Sequence, residues 1–449
     1  MKLNVHVLGT RVSVLEQVGD FKSVMTYLPD VAPENIVSLT MPVRTESYPW
    51  DDQLHPIFQM NLPEGYLLQV LQEEFGPIIG ANPTALLSVI GRNMVGRLQV
   101  APPESSLEEP AKPIEVAELL KGDNSEEAFS QLVRDHAKSG VSGVLPKFLD
   151  TEQKNQVGLG PHKKVSLLTH KHIIKGASNR LPFATANEHL CMQVASKVVE
   201  SAKSELSQDG KVLVVYRFDV DENGKPLRAL EDFCALLGLR PSAKYETTWE
   251  RIAKAVRTYV QGDYHHETFL KLTALLLLTY AMKNADCHSK NVALLYTSRM
   301  DARLAPAYDF LTTSVYEGYQ NNPPGISFMG RKTWLPGKTL GKFITANFGV
   351  SQREQKEVVE RISDAVADVA PAVRDLIKSL PGFRDTGKRM LATWKEGISI
   401  LRDTRMYALN PWKSSPAFEG ISDPPKLKSR RRVIARSELM ANGNKSKSR

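Results

Sequence analysis

From Phe269 to Met282 the sequence reads FLKLTALLLLTYAM, apolar on nearly every side of a helix and interrupted mainly by Lys271 and two threonines. A helix without a polar face has to be buried on all sides, so this stretch calls for a unit large enough to enclose it. At about one soluble-helix length it falls short of the roughly 20 residues that cross a bilayer, and no membrane association is expected. With 449 residues, 42% of them hydrophobic, the chain can build two or three packed units, each with its own core.

The segments on either side of this run suggest how those units are arranged. Alternating strands near Val5–Leu8 and Phe21–Tyr27, then a helical pattern opening at Pro63-Glu64, predict a small α+β subdomain over residues 1–105. Residues 101–128, rich in Pro, Glu and Ser, read as an exposed connection. A second, β-rich unit over 125–230 should contain strands at Val165–Leu168, at a segment ending His172-Ile173-Ile174-Lys175, and at Val212–Phe218, with one helix from about Asn187 to Val199. From 231 to 415 the pattern turns helical, including Thr248–Val260 and a stretch over 351–380 whose Val358, Val359, Ile362, Ala365, Val366 and Val369 share one face. Pro424-Pro425 marks the expected end of the folded chain.

Charge and cysteine narrow the classes further. Residues 426–449 hold nine Lys and Arg against Glu438 alone, so the whole formal charge of +8 sits in this tail and residues 1–425 are formally neutral. The tail, 424–449, is expected to be solvated and disordered, or else an arm for phosphate backbones or acidic surfaces; it does not make the whole chain a nucleic-acid binder. Cys191, Cys234 and Cys287 have no CxxC spacing, so neither a disulfide framework nor a zinc site is expected. The strand-like N-terminus lacks the apolar core of a signal peptide, and a cytoplasmic protein is expected.

The apolar helix empties into Asn284-Ala285-Asp286-Cys287-His288-Ser289-Lys290-Asn291, followed by Leu304-Ala305-Pro306-Ala307-Tyr308-Asp309. Two acids, an amide and a lysine beside buried elements, separated by one short hairpin, suit phosphoryl transfer. Asp286 would orient and deprotonate an attacking hydroxyl, while Asn291 and Asp309 would hold Mg2+ against the phosphates of ATP. The Asp-to-Asn spacing of five is that of the protein-kinase catalytic loop. Alone, such a string also suits a polar loop or a helix cap. Lys175, ending a β-branched strand, would supply a cation for the phosphates, although a strand-end lysine can equally be a solvated side chain. The covering loop is sought at Ser139-Gly140-Val141-Ser142-Gly143-Val144-Leu145-Pro146-Lys147, whose glycines and serines could bring N–H groups to phosphate oxygens. Gly337-Lys338-Thr339 is not the end of a Walker A loop, because Lys332 stands where its first glycine is required.

Taken together these pieces resemble the HipA family of bacterial serine/threonine toxin kinases. The resemblance runs from Asn61-Leu62-Pro63-Glu64-Gly65, through Ser142-Gly143 to Lys147, His172–Lys175, Asn187-Glu188 and Arg217-Phe218-Asp219, to Glu231-Asp232-Phe233-Cys234 with Lys244-Tyr245-Glu246. It continues through the 284–291 segment and Pro306–Asp309. It implies an α+β, two-lobed protein-kinase-like fold, with an extra N-terminal subdomain, a β-rich nucleotide-binding lobe and an all-α catalytic lobe. ATP and Mg2+ are the implied cofactors, and a protein serine, of an aminoacyl-tRNA synthetase for example, the acceptor. The implied partners are a helix-turn-helix antitoxin and, through that complex, operator DNA. By resemblance Asp286 is the catalytic aspartate, with His288 and Lys290 in its loop; Asn291 and Asp309 are metal ligands. Lys175 touches phosphate, Tyr216 to Phe218 face adenine at the hinge, and Val141, Ser142, Gly143, Val144 and Lys147 belong to the nucleotide loop. Glu188 can pair with Lys175 or lie on a helix surface.

One departure concerns regulation. Where the family carries the first serine of a serine-x-serine-glycine pattern, this chain has Gly140, so self-phosphorylation is expected at Ser142 or at the neighbouring Ser139. Two further readings remain open at this level: a small-molecule or lipid kinase on the same scaffold, and a non-catalytic module binding antitoxin and DNA.

Overall fold

The computed structural model describes residues 1–19, 22–63, 68, 71, 73, 82–107, 114–122, 124–142, 165–176 and 181–422. Alternation along Lys2–Val7 (β1), Thr10–Gln17 (β2) and Ser23–Tyr27 (β3) buries Leu3, Val5, Val7, Leu15, Met25 and Tyr27 together. With Tyr48–Trp50 (β4) and Leu98–Ala101 (β5) these strands form an antiparallel sheet in the order β4-β3-β2-β1-β5. Pro56–Gln59 (α1) and Pro83–Ile90 (α2) cover it with Ile57, Phe58 and Leu87. Asn82 caps α2, its side chain accepting from the Thr84 and Ala85 amides, with Pro83 pre-set in the first turn. Of the helical pattern expected to open at Pro63-Glu64, Leu68, Leu71 and Glu73 are described, and all three are helical.

The stretch read as an exposed connection is partly structured: Val116–Lys121 (α3) and the start of Glu126–Ser142 (α4) lie within it. The reason is packing, since Leu119, Leu120, Phe129 and Val133 close over Ile174, Val212 and Val214 of the next sheet. That sheet is antiparallel, with Val165–Leu168 (β6), His172–Gly176 (β7), Ser204–Leu206 (β8) and Val212–Tyr216 (β9) in the order β6-β7-β9-β8. Ala184–Ser196 (α5) packs beside β8 and β9.

Beyond it come Ala229–Asp232 (β10), Phe233–Leu236 (α6), Trp249–Tyr259 (α7) and His265–Ala281 (α8). Ala293–Tyr296 (β11), Arg303–Leu304 (β12), Gly337–Phe348 (α9), Gln352–Ser379 (α10) and Arg384–Arg402 (α11) complete the lobe. Thr248 caps α7 through the Arg251 amide, and Ser351 with Glu354 forms a capping box on α10. The apolar run is the buried centre: α8 is enclosed by α7, α9, α10 and α11. The lobe expected to be all helical also carries a small sheet, β10-β11-β12, whose ladders satisfy backbone groups that would otherwise be buried without partners. The result is a two-lobed, kinase-like fold with an added N-terminal unit. Among the described residues no helix is long and apolar enough to cross a membrane, and the three cysteines are buried thiols that form no disulfide.

Where α8 delivers the chain into residues 284–291, it touches α11 backbone to side: a Cβ on Gly397 would lie 1.9 Å from the Ala281 carbonyl oxygen. The N-terminal unit, for its part, is bonded to both lobes. Buried Arg217 donates to the Met94 carbonyl (3.0 Å) and pairs with Asp219, which accepts from the Gly96 amide (2.6 Å). Buried Arg97 reaches the Thr297 carbonyl (2.5 Å) and the carbonyls of Glu34 and Ile36. Glu231, at the edge of the helical lobe, accepts from Ser38 Oγ (2.5 Å), the Leu39 amide (3.0 Å) and the Tyr296 hydroxyl (3.0 Å).

Two tests follow from this packing. Gly397→Ala should lose about 1–3 kcal/mol of stability through overpacking, read from denaturant midpoints. Burial pushes the Glu231 carboxyl up to about 7. Between its unfolded value and that pH the folded state holds a proton the unfolded state has released, so stability falls as pH rises through this window. Wild-type stability should therefore decline relative to Glu231→Gln from about pH 5 to about pH 8, and parallel curves for the two proteins would refute the assignment.

Candidate active site

The chain leaves α8 through Lys283, a non-glycine residue with φ +49°, and is clamped at once by Thr313. The Thr313 hydroxyl accepts from the Ala285 amide (2.8 Å) and donates to the Lys283 carbonyl (2.9 Å). The buried Asn284 side chain accepts from the Asp286 amide (3.1 Å), which turns the loop so that Asp286 is half-buried at the cleft. Ser289 then ties the loop to the preceding lobe segment, its amide (3.1 Å) and hydroxyl (2.8 Å) both reaching the Lys244 carbonyl. The floor is close-packed: a Cβ on Gly325 would lie 2.2 Å from the Cys287 carbonyl oxygen.

Five residues singled out from the sequence make polar contacts in two groups. Lys175 Nζ, from β7, contacts Glu188 Oε1 (2.6 Å) on α5 and Asp309 Oδ1 (2.9 Å). Asn291 Nδ2 donates to the other Asp309 oxygen (3.1 Å). Glu188 is 1% exposed, so the surface alternative for it is excluded. Asp309 sits at φ +57°, a left-handed conformation held by these contacts. Asp286 belongs to the second group: its Oδ1 accepts from the Tyr245 hydroxyl at 2.5 Å.

The remaining candidates are placed as follows. His288 is buried with its Nδ1 unpartnered among the described residues, its ring set edge-on to Tyr245 at 5.0 Å. Burial lowers its pKa to about 4 against the pull of Asp286, so it is neutral at pH 7. The Lys290 carbonyl accepts from the Tyr308 hydroxyl (2.8 Å). Tyr216 ends β9 with its hydroxyl donating to Glu205, and the Phe218 ring lies 6.0 Å from that of Tyr308, next to Asp309. The loop expected from Ser139 begins otherwise: the backbone stays helical through Val141 and Ser142. A single glycine at 140 costs a helix only about 1 kcal/mol, which the turns before it can carry. Gly143, Val144 and Lys147 lie outside the described residues.

Sequence reasoning did not anticipate Thr313, Lys332 or the hydroxyl of Tyr245. Thr313 and Lys332 carry no local signal, being a threonine at the start of a short 3-10 turn and a lysine in irregular chain, both well after the loop they serve. Tyr245 was marked only by its neighbours in the Lys244-Tyr245-Glu246 string.

Comparison with known proteins decides the family. The HipA-like C-terminal domain matches residues 139–371, more than half of the chain, and the HipA N-terminal domain matches residues 3–101. The chain belongs to the HipA family. Within that family it resembles a solved Shewanella oneidensis MR-1 HipA, from a complex with HipB and its operator DNA. The TM-score is 0.62 at 18% identity, covering 88% of this chain and 95% of the other. A Sinorhizobium fredii relative named "Putative kinase Y4mE" is 26% identical over 372 residues, 76% of this chain and 84% of its own length. A Haemophilus influenzae protein of similar name is 22% identical over 268 residues, spanning 53% and 77%. The Shewanella likeness carries the fold, and the HipA-type arrangement of lobes is the one described above.

Removing Lys175 takes away the ammonium 2.6 Å from the buried Glu188 carboxylate. Lys175→Met should cost about 3 kcal/mol in chemical denaturation, and adding Glu188→Gln should recover most of that loss. Equal stability of the two variants would mean Glu188 is not held as an ion.

Proposed function

We propose that this chain is an ATP- and Mg2+-dependent serine/threonine protein kinase, the toxin of a HipA-type toxin–antitoxin system, acting on a translation protein such as an aminoacyl-tRNA synthetase. The observation that carries this reading is Lys175 bridging Glu188 and Asp309 while Asn291 holds the other Asp309 oxygen. Nothing in a binding module requires a buried ion pair joined to an Asp–Asn pair across a cleft, whereas phosphoryl transfer uses each part.

In this reading Lys175, oriented by Glu188, presents its ammonium to the nucleotide phosphates. Asn291 and Asp309 are oxygen-bearing side chains in mutual contact, a donor set that fits a hard cation such as Mg2+, with phosphate and water left to complete its shell. When bound, the ion would neutralise charge on the transferring phosphates. Asp286 takes the proton of the acceptor hydroxyl. His288, neutral and buried, supports the loop by packing against Tyr245.

The partners follow the same reading: a helix-turn-helix antitoxin, and DNA through that complex; the Shewanella structure is a complex of HipA, HipB and its operator DNA. A cytoplasmic location belongs with them. Self-phosphorylation is assigned to Ser142, the last residue of α4. Nearly two negative charges at a helix C-terminus oppose the helix dipole, so the modification would unwind that turn and alter the nucleotide loop.

The test is γ-labelled ATP with Mg2+ and a cytosolic extract, comparing the protein with Asp286→Asn and mapping labelled sites by mass spectrometry. A protein serine, and Ser142, should be labelled by the unmodified protein, with at least a roughly 100-fold loss in the variant. Label in a sugar or lipid headgroup, with none in protein, would mean a small-molecule kinase; ATP bound with no transfer would mean a binding module.

A further inference from the structure

The Tyr245 hydroxyl is the one hydrogen-bond donor that the described residues bring to the Asp286 carboxylate, and it falls on Oδ1. No described residue donates to Oδ2. The ring that carries this hydroxyl is fixed from several sides. Its edge-on contact with His288 (5.0 Å, 80°) joins it to the 284–291 loop. Its backbone carbonyl accepts from Lys332 Nζ (2.6 Å), and the carbonyl of Lys244 before it takes both bonds from Ser289. Residues 244–245 are therefore stitched to the loop at Asp286, His288 and Ser289 and to a third segment at Lys332. The segment holding Lys332 is itself tied back, Ser327 donating to the Thr247 carbonyl (3.1 Å) through its hydroxyl.

A carboxylate on a loop has two soft torsions, and a base that must meet one hydroxyl loses rate in proportion to the time spent turned away. Fixing one oxygen by a donor on a braced ring leaves the other oxygen in a single direction. We propose that Tyr245 is the positioning residue of Asp286: its hydroxyl holds Oδ1, so that Oδ2 is presented to the acceptor hydroxyl. The inference rests on the kinase reading and extends it to a residue outside the Lys175, Asp286, Asn291 and Asp309 set. In the step it serves, the acceptor oxygen bonds to the γ-phosphorus as the bond to the ADP oxygen breaks, and the acceptor proton passes to Asp286 Oδ2. Tyr245 gives up no proton in that step; the hydrogen bond it donates remains throughout.

Tyr245→Phe keeps the ring and its His288 contact and removes only the hydroxyl. The expected result is a roughly 10- to 100-fold lower kcat with the KM for ATP and the melting temperature unchanged, a split that a merely structural role would not give. Single-turnover rates supply the second readout: on an Asp286→Asn background the same substitution should cause no further loss, because the two side chains act as a unit. If Tyr245→Phe transfers phosphate at the wild-type rate, or if its effect adds fully to that of Asp286→Asn, the positioning role is overturned while the kinase reading stands. If the unmodified protein transfers no phosphate to any acceptor, both fall together.

Discussion

Lys175 belongs to β7 of the smaller lobe, yet its carboxylate partner Asp309 follows the short sheet of the helical lobe. That contact spans the cleft, and much of the site's geometry hangs from it. Glu188 is almost wholly excluded from water, and Lys175 places an ammonium 2.6 Å from its carboxylate. Asp309 adopts a backbone conformation that few non-glycine residues hold, with one oxygen taken by Lys175 and the other by Asn291. An ion pair of this kind adds little net stability, because desolvation offsets most of the attraction. What it contributes is direction: it fixes β7, α5 and the two loops of the helical lobe relative to one another.

The parts of this arrangement that were legible in the sequence share a property. Asp286, Asn291 and Asp309 lie on segments that leave buried elements abruptly, so a polar cluster beside an apolar run marks them. Lys175 was marked by the β-branched strand it ends. The strands at 165–168 and 172–176 and the helix enclosing Phe269–Met282 could be read because periodicity and length agree there. Other features were hidden for a physical reason. The Tyr245–Asp286 and Thr313–Lys283 bonds join positions 41 and 30 residues apart, and nothing local announces such a pairing. At residues 139–142 glycine and serine favoured a loop by composition, while the helix already running from Glu126 carried them with it. In the same way α10 continues past Pro371, where a local reading would place a break, because its long buried face holds the helix together.

Tyr245 and Thr313 also show how a reactive loop can be held without being packed solid. Each uses a hydroxyl from a distant segment to fix one short stretch of backbone or one carboxylate oxygen. The close approach at Gly325 completes the enclosure from beneath. The loop is therefore defined by its neighbours rather than by its own propensity, which is consistent with the left-handed residues at its entrance and at Asp309.

The N-terminal unit grips the smaller lobe through Met94 and Gly96, and the helical side through Ser38, Leu39 and Arg97. Residues 217–219, the strip joining the lobes, lie directly under this grip. A wide hinge opening about that strip would have to break Arg217, Arg97 and Glu231 away from their partners at once, through bonds that are buried or part-buried. The unit acts as a splint: it limits the lobes to small twists, and the width of the cleft becomes a property of a sheet that contributes no side chain to the Lys175–Asp309 contact.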